Sequence, residues 1–133
     1  MLVEHARNVI GIRDAVHAEY GVAGTQVVTL LSCSLAESQI DITVTPNSRL
    51  AAIYGELLVT EETNCNYGLE PSFAHIAFSG GLTVSAVDDT GEVRAIERAD
   101  HPFFVATLYQ PQRTSRPGAP HPLWIAFVRA ATN

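Results

Sequence analysis

His101-Pro102-Phe103-Phe104-Val105-Ala106-Thr107-Leu108-Tyr109-Gln110-Pro111-Gln112 is the stretch on which the reading of this chain turns. Phe103 to Tyr109 is a strongly β-prone run that stays apolar on both faces, the pattern of a central strand covered on both sides. Gln110 and Gln112 follow at its carboxyl end, the edge at which α/β sheets carry their ligand sites. The Pro- and Arg-rich segment from Pro111 to Pro120 predicts a loop. Pro122 then opens a closing helix with Leu123, Trp124, Phe127, Val128 and Ala131 on or near its buried face.

Upstream of that strand lies a hairpin. Leu82–Val87 and Val93–Ile96 flank Asp88-Asp89-Thr90-Gly91, a turn-rich connection. Further back, Pro71 starts a short helix through about Phe78, and Glu61 to Gly68 reads as a polar loop after a strand at Leu57–Thr60. Ser48 caps a short helix through Tyr54. Ile40, Ile42 and Val44 alternate with Asp41 and Thr43 as in a half-buried strand, and Gln26–Leu31 predicts a separate buried strand. Leu2, Ala6, Val9, Ile10 and Val16 form one apolar stripe, predicting a helix over 2–20 that stops at Gly21. No Ser, Thr, Asp or Asn precedes Leu2 to cap it. The order of elements predicts a mixed α/β domain.

Composition narrows the function classes. With 133 residues, 47% hydrophobic and 17% charged, the chain is long enough for one sizeable core and too apolar for a disordered tail. No apolar run approaches the roughly 18 residues of a membrane span, and Met1–Arg7 lacks the basic start and apolar stretch of a signal peptide. A net charge of −6, from 14 acidic and 8 basic residues, makes nucleic acid or an anionic membrane a poor partner. Cys33 and Cys65 are too few for a disulfide framework and fit reduced thiols in a cytoplasm.

The last third resembles the C-terminal end of a class I glutamine amidotransferase domain, in particular the one found in CTP synthases. The resemblance is carried by His101–Val105, Tyr109–Gln112, Ser115-Arg116-Pro117, Pro122-Leu123, Ala126–Val128 and Ala130-Ala131. Leu31–Leu35 and Cys65–Pro71 extend it to a bacterial group related to the C-terminal region of CTP synthase, some members of which carry selenocysteine. The resemblance implies a flavodoxin-like fold, of which residues 1–133 would be a single, incomplete domain. It also implies glutamine hydrolysis by a Cys-His-Glu triad without a cofactor. Gln110 stands at the family's histidine and Gln112 at its glutamate, and an amide has no proton to exchange near neutrality. The nucleophilic cysteine would fall a few residues before Met1. The chain alone is therefore expected to be inactive as a glutaminase, and without a synthetase domain it cannot make CTP. Asn64, Cys65, Asn66 and Tyr67 occupy the place of a family segment that contacts glutamine. The implied partners are glutamine or another small amide, and either a second copy or an upstream-encoded half domain carrying the nucleophile. The alternative is a non-catalytic module that binds a small amide or a protein.

The remaining candidates have plain structural readings. Cys33 fits a buried structural thiol. His101 and His121 each precede a proline, as first residues of a strand or helix do. His5 and His17 lie twelve apart on the predicted helix, His75 is isolated, and no pair has metal-ligand spacing. Arg113 and Arg116 could meet a phosphate or carboxylate, although such arginines more often pair with nearby acids.

Overall fold

Gly11 ends the first helix far earlier than the apolar stripe predicts. The computed structural model describes residues 1–21 and 23–132, and the side chains of Cys33 and Ala77 lie outside that description, so the expected buried Cys33 thiol does too. Helix α1 (Leu2–His5) widens into a π-helical segment, Ala6–Ile10, and Gly11 follows in the left-handed conformation at φ +88°. The stripe then continues in extended chain. Ala15–His17 forms strand β1, and Gly21 closes a 3₁₀ turn at Ala18–Tyr20. Of the predicted stripe, Ala6 is buried in the helix and Val16 by a strand, while Val9 is 51% exposed. Three residues of extended chain satisfy the same apolar spacing as a helical turn, which is why periodicity alone extends the helix.

The two strands expected between Gln26 and Val44 are one, β2 (Thr25–Val44). Opposite it runs β3 (Leu58–Leu69), which includes the segment expected to be a polar loop. Along β3 the buried positions are polar, with Glu61 at 3% and Thr63 at 0% exposure. A strand whose inward face is polar inverts the usual alternation and reads as loop. The pairing of β2 with β3 is irregular between Leu30 and Ser38, where Glu37 has a φ of +49° and donates its N–H to Asn64 Oδ1.

Strands β4 (Leu82–Asp88) and β5 (Val93–Arg98) form the expected hairpin. Asp88 Oδ1 organises its turn by accepting from the Thr90 and Glu92 N–H groups and the Thr90 hydroxyl. Among the described residues strand β6 (Val105–Thr107) pairs only with β5. The six strands run β1-β2-β4-β5-β6, with β3 on the other side of β2. The strand expected at the centre of the sheet therefore closes the row. Beyond β6 the chain curls back, for Leu108 N–H donates to the Arg94 carbonyl at 2.8 Å and Gln110 N–H to the Glu62 carbonyl at 3.0 Å. The first bond extends the β5–β6 ladder and the second brings the chain after β6 against β3, with Tyr109 buried between them.

Helices cover the core so enclosed. In α2 (Arg49–Tyr54), Ser48 Oγ caps the Ala51 N–H, and the buried Glu97 carboxylate accepts from the Arg49 and Leu50 N–H groups. A carboxylate at the positive end of a helix is favoured there. Ile42, Val44, Leu50, Ala86, Ala95, Tyr109 and Leu123 form the main cluster. The 3₁₀ segment Pro71–Phe78 and α1 cover a second one around Ala6, Val27 and Ile76. In α4 (Pro122–Thr132) only Leu123 is buried, while Trp124, Phe127 and Val128 are 41–57% exposed. Their expected place on the buried face is thus corrected: α4 buries Leu123 and lays the Phe127 ring edge-on against Phe103, but leaves Trp124 and Val128 exposed.

Candidate functional site

Gln110 is held by its backbone where β6 ends and α3 (Pro111–Thr114) begins. Its N–H is tied to Glu62, and its side-chain Oε1 is buried with no hydrogen-bond partner among the described residues. That oxygen is an acceptor for an N–H group, since a buried polar atom is costly when unpaired. Gln112 is exposed on α3. Arg113 approaches Glu62 Oε2 at 3.4 Å, and Arg116 donates to the Arg113 and Ser115 carbonyls. Arg116 is thus engaged with the protein itself, whereas Arg113 Nε pairs with Glu62 by charge but makes no hydrogen bond among the described residues.

Directly beneath this strand end lies a buried polar network that the sequence reading does not assemble. Glu61 Oε1 faces His121 Nε2 at 2.8 Å and accepts from the Tyr54 hydroxyl at 2.5 Å. The Tyr54 and Tyr109 hydroxyls are 3.1 Å apart. His121 Nδ1 accepts the Leu123 N–H at 3.1 Å, which leaves Nε2 to carry the proton and fixes the neutral tautomer. Both ring nitrogens are thereby occupied, so His121 is not free to act as a base toward a ligand. Burial, with the neighbouring Tyr109 and Glu61, pushes the Tyr54 hydroxyl pKa far above its ordinary value. Burial and Glu61 push Tyr109 up as well, against the bond from Tyr54. Residues from three separate stretches of the chain, Tyr54–Glu61, Tyr109 and His121, meet here.

The Asn64–Tyr67 stretch lies on β3 rather than in a loop. Asn64 Oδ1 accepts from Glu37 N–H, and Asn66 Oδ1 accepts from the Ser34 hydroxyl at 2.6 Å, so both amides brace the irregular part of the β2–β3 ribbon. The Cys65 thiol is half-buried and donates to the Tyr67 carbonyl at 3.3 Å. The Tyr67 ring lies 4.9 Å from His17, whose Nδ1 accepts the Glu19 N–H. His17 in turn lines a cavity of about 240 Å³ whose wall includes Met1, Leu2, Val28, Thr107 and Leu108. Tyr67 thus adjoins, through His17, the cavity bordered by the strand that leads to Gln110. Asn64 and Asn66 do not join it. Among the described residues no group of His, Cys, Asp and Glu side chains could hold a metal, and no helix is long and apolar enough to cross a membrane.

No protein-family model matches the chain. The CTP synthase of Caulobacter sp. (strain K31) is 32% identical over 149 residues, covering 98% of this chain and 27% of the relative. That of Carboxydothermus hydrogenoformans is 33% identical over 141 residues, covering 98% of the chain and 26% of the relative. The chain spans about a quarter of the length of these relatives. Among solved structures, the glutaminase domain of Trypanosoma brucei CTPS with bound acivicin superposes with a TM-score of 0.90 at 29% identity, over 98% of this chain and 55% of that one. The fold is accordingly the mixed α/β fold of that glutaminase domain, and the chain is glutamine-amidotransferase-like.

Proposed function

We propose that this chain is a degenerate glutamine-amidotransferase module that recognises glutamine or another small amide. The observation that carries the reading is the 0.90 TM-score to a CTPS glutaminase domain over 98% of the chain, combined with an amide side chain, Gln110, at the end of β6. Hydrolysis of glutamine by the family's route needs a thiolate or selenolate nucleophile and a base that carries its proton to the leaving ammonia. Gln110 and Gln112 cannot move that proton, His121 spends both nitrogens inside the fold, and the Cys65 thiol is bonded to a carbonyl. The free Gln110 Oε1 can instead accept an N–H from a ligand carboxamide and orient it. Hydrolysis by that route would need a nucleophile, cysteine or selenocysteine, from outside residues 1–133. Binding without catalysis by this chain is supported by the engagement of His121 and Cys65 within the fold.

The test is ammonia release from glutamine together with calorimetric titration of glutamine. The chain alone is expected to release none above background, and Gln110→Ala to weaken amide binding about tenfold, the value of one hydrogen bond to a buried group. Turnover by the isolated chain, or binding indifferent to Gln110→Ala, would sink the proposal.

A further inference from the structure

A groove of about 560 Å³ lies between α2 and α4, on residues that the amide-binding reading does not use. Pro122, Ile125, Ala126, Arg129 and Ala130 recur three to four residues apart, so one face of α4 borders it. Ala52 and Ile53 of α2 border it from the other side. The alanines are too short to fill the space between the two helices. Phe103, whose ring meets Phe127 edge-on, closes the groove against the sheet.

The charge of this groove is one-sided. Arg49 and Arg129 border it and no Asp or Glu does, in a chain with 14 acidic residues and only 8 basic ones. The Arg49 guanidinium donates to the His101 and Pro102 carbonyls, which fix its position without cancelling its charge. Glu97, the acid at this end of α2, spends both carboxylate oxygens on the Arg49 and Leu50 N–H groups. Arg129 is exposed. Among the described residues the arginine ion pairs fall on Arg94, Arg98 and Arg113, and neither Arg49 nor Arg129 forms one. Two guanidinium groups beside an apolar floor complement an anionic head joined to an apolar body. The volume also lies within the roughly 300–1,000 Å³ of small-molecule sites.

We infer that the α2–α4 groove binds a small amphiphilic organic anion, a carboxylate or phosphate monoester. Its head pairs with Arg49 and Arg129, and its aliphatic or aryl body lies along Ala52, Ala126 and Ala130. The inference is independent of amide recognition, since Gln110 does not line the groove.

The probes are octanoate and octyl phosphate, titrated into the full 133-residue chain and followed by amide NMR shifts, with octanol and octylammonium as uncharged and cationic controls. At least one anion is expected to bind about tenfold more tightly than either control. Shifts should centre on Ala52, Ala126 and Ala130, and affinity should fall as salt is raised. The tighter of the two anions assigns the head as carboxylate or phosphate. Arg129→Gln should weaken anion binding about fivefold and leave the weak binding of octanol as it is. Because Arg129 is exposed and outside any ion pair among the described residues, the circular dichroism of that variant should match the parent. Ala130→Leu, which fills the groove, should abolish binding of both anions. Arg13→Gln, exposed and outside the groove, should change nothing. Octanol binding as tightly as the anions, shifts confined to the exposed Trp124 and Phe127 side chains, or an affinity indifferent to Arg129→Gln would each overturn the inference.

Discussion

His121 does two jobs with one ring. Its Nδ1 caps the first turn of α4 at Leu123, and its Nε2–H meets the Glu61 carboxylate. Replacing it by alanine removes a helix cap, worth about 1 kcal/mol, and deprives a buried carboxylate of a partner, worth about 1–3 kcal/mol. His121→Ala is therefore expected to cost about 3 kcal/mol in urea unfolding. His121→Asn keeps an acceptor at the cap but cannot reach Glu61, and should recover about 1 kcal/mol of that loss. Equal losses for the two variants would show that the cap contributes nothing. Tyr54→Phe removes the other bond to Glu61 Oε1 and is expected to cost about 1–2 kcal/mol. None of this is legible in the sequence, because Glu61, Tyr54, Tyr109 and His121 have no local spacing that predicts their meeting. Only the position of Gln110 was legible: the sequence predicts it past the carboxyl end of a strand, and it lies between β6 and α3 with a buried Oε1 that has no partner among the described residues.

At the scale of elements, the join between β1 and β2 depends on a glycine. Gly24 has a φ of +154°, and a Cβ there would fall on the Asp14 carbonyl oxygen, which accepts the Thr25 N–H at 3.0 Å. Both the strained conformation and the backbone collision oppose a side chain, so Gly24→Ala should destabilise by about 2 kcal/mol, whereas the same change at an open, unstrained surface position has a small effect. A thermal melt of Gly24→Ala unchanged from the parent would mean that β1 does not pack as described. The elements that sequence patterning found correctly, α2 with its Ser48 cap and the β4–β5 hairpin with its Asp88 turn, are those whose signals are local. Patterning failed where tertiary context overrode it. The apolar stripe through residue 16 survived a change from helix to strand, β3 hid behind an inward polar face, and the β-prone run at 103–109 became a short edge strand. The expectation of a covered central strand followed from composition alone, whereas β6 is a short strand of half-buried residues at the end of the row.

At the scale of the whole molecule, ionisable groups predict how stability depends on pH. Burial pushes the Asp88 carboxyl up, but bonds from Thr90 and Arg94 outweigh it and hold it below its ordinary value. Asp88 Oδ2 lies 2.5 Å from Arg94 Nη2, and both side chains are nearly buried. A carboxyl held low contributes stability that is present above its unfolded value near 3.8 and is lost as the pH falls through the folded one. The two core tyrosines act at the other limb. Their hydroxyls are held above the ordinary value near 10, so the folded state keeps protons that the unfolded chain gives up. Their contribution is complete below pH 10 and declines as the pH rises beyond it. Melting temperature should therefore form a plateau falling at both ends. Asp88→Asn is expected to lower the plateau, since it weakens a buried ion pair, by about 3 kcal/mol, and to flatten the acid limb. Tyr54→Phe should leave the acid limb in place and make the alkaline limb shallower, because one of the two retained protons is gone. An alkaline limb of unchanged slope in Tyr54→Phe would mean that the network under Gln110 opens to solvent before the fold unfolds. The strand end that it supports would then be a loosely held element rather than the rigid floor of a ligand site.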